Sequence, residues 1–411
     1  MPVATEHAYA VQAFDSLHSG SRDRLGDTVA QLLEYCRRHA WAGYDPYDAL
    51  DSPWLTRTGL IHSKVVRLLA IQGLKRSPIN LRPLLGIRGA QNPKALALFL
   101  SALIKLQRDA GMATDIRPVD FVERLAELRS GDHRYWCWGY SFPWQTRTEL
   151  VPRFAPNIVC TTFVGDALLA LHEWRPDPEY LAMAVGAAEY MTQKLFWRGD
   201  HGAAGFSYPS PPSHTRVHNA NLLAAAFLCR VYSHHAEDSF LDAASAAARY
   251  AASAQHADGS WRYGEASTQQ WIDNFHTGYN LCALDAIGRC LNTAEFDTAL
   301  RRGFEFYRGH FFESDGAPKY FHDRPHPFDS HSAAQSIITL VTLRRLWPEG
   351  MALAEMVYTW AMQRLWNADG YFSYRVHRFG TNRIPYMRWS QAWMLLALAT
   401  LLGARRAEST S

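Results

Sequence analysis

The chain has 411 residues, 48% of them hydrophobic, so it can bury a core large enough for one repeat-built domain or for two or three smaller ones. A formal charge of +3, with acids and bases interspersed, leaves no basic stripe of the kind that grips nucleic acid, and no nucleic-acid partner is expected. The six cysteines (Cys36, Cys137, Cys160, Cys229, Cys282, Cys290) form no CxxC pair, no apolar run is long enough to span a bilayer, and the first residues lack a leader pattern. Together these features predict a cytoplasmic protein with reduced, core-filling thiols and no transmembrane segment.

In chain order, residues 1–20 read as peripheral. The first helical pattern is RLGDTVAQLLEYCRRH at 24–39. PKALALFLSALIKLQR at 93–108 and NIVCTTFVGDALLALHEW at 157–174 are longer and more apolar, as expected of helices packed on all sides. From there the chain repeats itself. Asp258-Gly259, Asp315-Gly316 and Asp369-Gly370 are each followed by aromatic residues, with a degenerate copy at Asp200-His201-Gly202. A constant 21 residues beyond each Asp lie Asn221, Tyr279, Ser336 and Ser390, each opening an apolar stretch. Between these stretches run more amphipathic segments such as SFLDAASAAARYAASAQ and MALAEMVYTWAMQRLW. Each unit is therefore an outer amphipathic helix, an Asp-Gly loop and an inner apolar helix. Inner helices need neighbours on both sides to bury their flanks, so about a dozen helices should close into an α/α toroid of about six helical hairpins, all-α, forming a single domain over 1–411. The tail, 404–411, reads as frayed.

The run Gln255-His256-Ala257-Asp258-Gly259-Ser260-Trp261 resembles the Gln-to-Gly-x-Trp repeat of terpenoid cyclase and protein prenyltransferase toroids, and the unit layout is also similar to that of six-hairpin glycosidases. That resemblance covers roughly the last 280 residues and implies fold, not chemistry. Gly-Tyr-Asp-Pro-Tyr-Asp (43–48), Pro-Trp-Gln-Thr-Arg (143–147) and Asn-Ile-Val-Cys-Thr-Thr-Phe (157–163) resemble toroid proteins associated with bacterial exopolysaccharide biosynthesis, which implies a glycan context and carries over no catalytic residue. The cyclases' Asp-x-Asp-Asp acid is absent, and Cys137 has no Cys-His-Gly partner of the kind zinc-binding toroids use. Neither a metal nor another cofactor is expected.

In such a toroid the loops and the inner-helix N-termini share one end, so their side chains converge on one mouth. The residues brought there are Trp144, Gln145, Arg147 and Asn157; His214, Arg216, His218 and Asn219; Trp271, Asp273, His276 and Tyr279; Asp329 and His331; and Arg383, Tyr386, Arg388 and Trp389. Free N–H groups and helix dipoles favour an anionic ligand there, and guanidinium forks grip carboxylate or phosphate. Asp273, His276, Asp329 and His331 are the expected catalytic set, with aromatic residues such as Tyr279, Tyr386 and Trp389 shaping a sugar subsite. Each has a structural alternative: the two Asp as helix caps, the two His as their partners, the rings as core. Carboxylates, imidazoles, aromatic platforms and arginines suit acid/base chemistry on an acidic glycan or sugar phosphate, by hydrolysis, elimination or epimerisation. A non-catalytic glycan-binding or assembly factor and an isoprenoid-processing enzyme are the alternatives.

Overall fold

The computed structural model describes residues 24–410 apart from 132–133, 147–148, 210 and 212–215. Helix α1 spans 24–38. It is followed by α2 (Pro53–Arg57), α3 (Lys64–Arg76), α4 (Pro93–Ile104), α5 (Pro118–Glu127), α6 (Ile158–Trp174), α7 (Pro178–Tyr190), α8 (His218–Tyr232) and α9 (Asp238–Ser253). Then come α10 (Asn274–Cys290), α11 (Asp297–His310), α12 (Ser330–Thr342), α13 (Gly350–Arg364) and α14 (Trp393–Thr410). The six apolar helices form a closed ring: α4 packs on α6, α6 on α8, α8 on α10, α10 on α12, α12 on α14, and α14 returns to α4. The amphipathic helices α5, α7, α9, α11 and α13 pack outside their neighbours. The toroid and its inner and outer assignments are as expected, except that residues 404–410 continue α14 instead of fraying. Residues 1–20 lie outside the described residues.

The Asp-Gly repeat has a packing cause. Gly259, Gly316 and Gly370 all take positive φ (91°, 84° and 88°), which a side chain would oppose. Each also abuts the next outer helix: a Cβ on Gly259 would stand 2.3 Å from the Arg302 carbonyl of α11, one on Gly316 2.6 Å from Met356 Cβ of α13, and one on Gly370 3.2 Å from the Gln31 carbonyl of α1. The last contact ties the C-terminal unit to the N-terminal helix and completes the outer layer. Gln255 and Trp261 are structural as well: Gln255 Nε2 donates to the carbonyls of Gly259 and Ala299 at 2.9 Å, and Trp261 Nε1 donates to that of Ala251 at 3.0 Å.

Among the described residues, strands are confined to the loops, in three two-stranded pairs and one four-stranded antiparallel sheet. That sheet joins Lys319–Phe321 and Arg324–Asp329 to Arg375–His377 and Gly380–Asn382, welding two successive loops over the mouth of the ring. Residues 45–90, including α2 and α3, form a lobe with its own small core of Ala49, Leu50, Ile71, Leu74 and Ile87, separate from the main one.

Candidate active site

The inner helices all present their N-terminal ends to one cavity of about 360 Å³. Lys94 comes from α4, Val159 from α6, Asn219 from α8, His276 and Tyr279 from α10, His331 from α12, and Arg388 and Trp389 from the turn before α14. The loops add Tyr47, Tyr140, Phe142, Trp144, Tyr208, Tyr263, Trp271, Tyr320 and Phe321, and α3 adds Gln72 and Lys75 at the rim. No Asp or Glu side chain is among the described lining residues.

Two imidazoles stand against the same ring in this cavity. His276 and His331 lie with centroids 4.2 and 4.3 Å from that of Phe275, and each is 5.9 Å from Tyr279. Asp273 caps α10, its Oδ1 accepting from the His276 backbone N–H at 3.0 Å. Its Oδ2 accepts from His276 Nδ1 at 2.7 Å and from Trp271 Nε1 at 2.8 Å. A carboxylate at Nδ1 holds the proton there, which leaves the Nε2 lone pair free to act as a base. The buried carboxylate thus acts through the histidine, which is partly exposed to the cavity.

His331 is built differently. Its ring is stacked between Phe275 and Trp393 (4.5 Å, 24°), and Nε2 lies 2.6 Å from the Tyr279 hydroxyl. Burial, reinforced by the nearby Lys94, His276 and Arg388 charges, pushes its pKa well below the usual imidazole range, so the ring is neutral. Burial likewise holds the Tyr279 hydroxyl protonated. Nδ1 of His331 is buried and has no hydrogen-bond partner among the described residues.

Other expected residues serve elsewhere. Asp329 caps α12 and is fully engaged, with Oδ1 accepting from Ser332 N (2.8 Å) and Oδ2 from Arg375 (2.9 Å) and Trp389 Nε1 (3.3 Å); it orders the wall and does not face the cavity. Asn157 is the buried cap of α6, accepting from Cys160 N at 2.9 Å. Gln145 accepts from Arg67 Nε at 2.7 Å beneath the lobe. Arg216 pairs with Glu265 at 2.9 Å away from the cavity, and His218, though buried, does not line it. Tyr386 is packed beneath Arg82 and Tyr374, and Arg383 is exposed. These seven positions correct the expectation of a shared mouth, since none of their side chains lines the cavity. His214 and Arg147 lie outside the described residues. Trp144, Asn219, Trp271, Tyr279, Arg388 and Trp389 do line the cavity. Arg388 is not a free anion clamp, since its guanidinium is locked to Asp45 by two bonds of 2.6 and 2.8 Å.

The side chain most plainly missed in the sequence is Lys94. It sits near the start of an apolar helix, almost fully buried, with Nζ 4.2 Å from the Phe163 centroid and 5.3 Å from that of Trp393. Burial and then the Arg388 charge lower its pKa to about 7. A lysine interrupting PKALALFL was the available signal. Among the described residues no group of three or more His, Cys, Asp or Glu could hold a metal ion, and no helix is long and apolar enough to cross a membrane.

No family model and no curated protein matches the chain. Solved structures do. Cellobiose 2-epimerase from Bacillus thermoamylovorans superposes with a TM-score of 0.57 at 11% identity, over 77% of this chain and 88% of that one. A family 76 glycoside hydrolase (mannosidase) from Bacteroides thetaiotaomicron gives 0.53 at 12% identity, over 78% and 89%. A polysaccharide lyase gives 0.54 at 11% identity, over 95% and 99%. At such identities the likeness establishes architecture alone, and the chain is an α/α toroid of the six-hairpin kind.

Proposed function

We propose that this protein is a carbohydrate-active enzyme that moves a proton at a sugar carbon beside a carbonyl, as in epimerisation or isomerisation. The observation that carries this reading is the pair of imidazoles in one aromatic cavity whose described lining holds no carboxylate. Hydrolysis by the usual two-carboxylate route needs both acids at the glycosidic bond. Here Asp273 acts behind His276 and Asp329 is consumed by Arg375. Proton abstraction next to a carbonyl needs a base, an acid and a donor to the developing enolate oxygen. His276 Nε2 supplies the base. The Tyr279–His331 pair supplies a proton, and Lys94 in its charged form the positive charge. The aromatic wall stacks on the sugar faces.

Two amines line the cavity, Lys75 at the rim and Lys94, which is charged below its pKa of about 7, and they support an acidic saccharide or a sugar phosphate as the ligand. For a uronic acid the same groups would serve β-elimination, the second reading. Likeness to toroids named as an epimerase, a mannosidase and a polysaccharide lyase supports the carbohydrate class. A place in bacterial exopolysaccharide metabolism rests on the resemblance of 43–48, 143–147 and 157–163, and a cytoplasmic setting fits the six free cysteines.

The test is to incubate the protein in deuterated water with reducing disaccharides, hexose phosphates and uronate oligosaccharides. Deuterium at the carbon next to the carbonyl is expected. An ultraviolet-absorbing unsaturated uronate would select elimination, new reducing ends would select hydrolysis, and tight binding without turnover would leave a glycan-binding factor.

A further inference from the structure

Among the described residues, seven of the eleven large apolar side chains that face solvent fall between positions 54 and 84: Trp54, Leu60, Val65, Leu69, Ile79, Leu81 and Leu84. They belong to the lobe built on α2 and α3. Helix α3 buries Ile71 and Leu74 in the lobe's small core and turns Val65 and Leu69, 64% and 67% exposed, to the opposite side. Pro53, Trp54 and Arg57 share a shallow open groove with Pro83, Leu84 and Arg88. Scattered apolar residues need no explanation, but seven on one lobe are a concentration that an interacting partner would account for.

Charge identifies the partner. The whole-chain charges are interspersed, yet no Asp or Glu occurs from 52 to 108, while 52–90 carries Arg57, Lys64, Arg67, Lys75, Arg76, Arg82 and Arg88. Three of these are used internally: Arg67 donates to Gln145, Lys75 to Tyr47, and Arg82 pairs with Asp48. Arg57, Lys64, Arg76 and Arg88 are exposed and have no ion pair among the described residues. A second copy is a poor occupant, because a two-fold contact would set these cations against themselves. A nucleic acid would use the cations but leave the aliphatic side chains without a partner. A surface that is anionic at the top and hydrocarbon beneath satisfies both sets at once.

We infer that the 45–90 lobe docks on an anionic lipid bilayer, with Val65, Leu69 and Leu84 entering the headgroup–acyl boundary and Arg57, Lys64, Arg76 and Arg88 meeting lipid phosphates. This rests on the lobe alone and stands whatever reaction the cavity performs. Because α3 also supplies Gln72 and Lys75 to the cavity rim, docking would hold the site beside the membrane surface.

The test is co-sedimentation of the full chain with vesicles of phosphatidylcholine alone or mixed with phosphatidylglycerol, at low and high salt. Binding to the anionic vesicles, weakened by salt and absent on phosphatidylcholine alone, is expected. Two exposed-site variants, Val65→Ser/Leu69→Ser/Leu84→Ser and Arg57→Gln/Lys64→Gln/Arg76→Gln, should each bind at least about ten-fold more weakly while keeping the parent's circular dichroism and melting temperature. A parent that stays in solution with both vesicles, or variants that both bind as the parent does, would overturn the inference. So would a dimer, seen by light scattering, that the serine variant dissociates, since the patch would then be a self-interface.

Discussion

Asp273 accepts three hydrogen bonds, one from the helix it caps and two from the ring nitrogens of His276 and Trp271. Asp273→Asn keeps a good cap but replaces the charge that orients and stabilises the imidazole. Stability should fall by about 1–3 kcal/mol, because the amide nitrogen in place of Oδ2 faces the Trp271 indole N–H and cannot accept from it, while turnover falls by about 10²-fold or more. Urea unfolding and a rate assay on one protein sample separate the two. Lys94 gives a second residue-scale expectation. An amine with a pKa of about 7 is charged below neutrality and loses its charge above it, so an acidic sugar should bind more tightly at pH 6 than at pH 8. Lys94→Met should flatten that dependence in calorimetric titrations. His218 bears on stability. Burial lowers its pKa from 6.5 to about 4, so the folded state resists the proton that the unfolded chain accepts. Stability from this group is complete above the unfolded value and is lost as pH falls from about 6.5 towards 4, by about 3 kcal/mol. His218→Gln should lose that part of the acid slope in denaturation curves.

At the scale of elements, the turn at 43–48 is an anchor for arginines. Asp45 takes the two-pronged grip of Arg388, and Asp48 accepts from Arg82 Nε at 2.7 Å, all four side chains being nearly or fully buried. Arg388→Ala would leave a buried carboxylate without its partner, a loss of about 3–5 kcal/mol. A thermal melt should show this as clear destabilisation, larger than that of Asp273→Asn, which keeps the cap. The N-terminal caps were legible in the sequence at Asp273 and Asp329, because Asp opening an apolar run is a local signal. The partner of each carboxylate's second oxygen was legible only in part: the expected histidine partner holds for Asp273 and fails for Asp329. Asp273 meets its own His276 one turn on, while Asp329 meets Arg375 across the sheet that joins two loops, a contact set by strand pairing 46 residues away. Spacing alone made the two look equivalent.

For the whole molecule, the 21-residue offset foretold both the ring and the convergence of inner-helix starts on one mouth, because a repeat that stacks must present equivalent positions on the same face. The lobe at 45–90 departs from that repeat and escaped notice, although it supplies Tyr47, Gln72 and Lys75 to the cavity. So did much of the aromatic wall, such as Tyr140, Phe142, Tyr320 and Phe321, whose positions depend on how the loops fold over the ring. The ring's purpose, on this account, is to hold two differently tuned imidazoles on one sugar in an aromatic chamber. Solvent-deuterium incorporation at the carbon beside the sugar carbonyl, followed by NMR for the parent, His276→Ala and His331→Ala, tests that claim most directly. The parent should incorporate deuterium with a saccharide from the panel, and each variant should lose turnover by about 10²-fold or more while remaining folded. Incorporation at the parent's rate in both variants would contradict the claim and remove the two histidines from the chemistry.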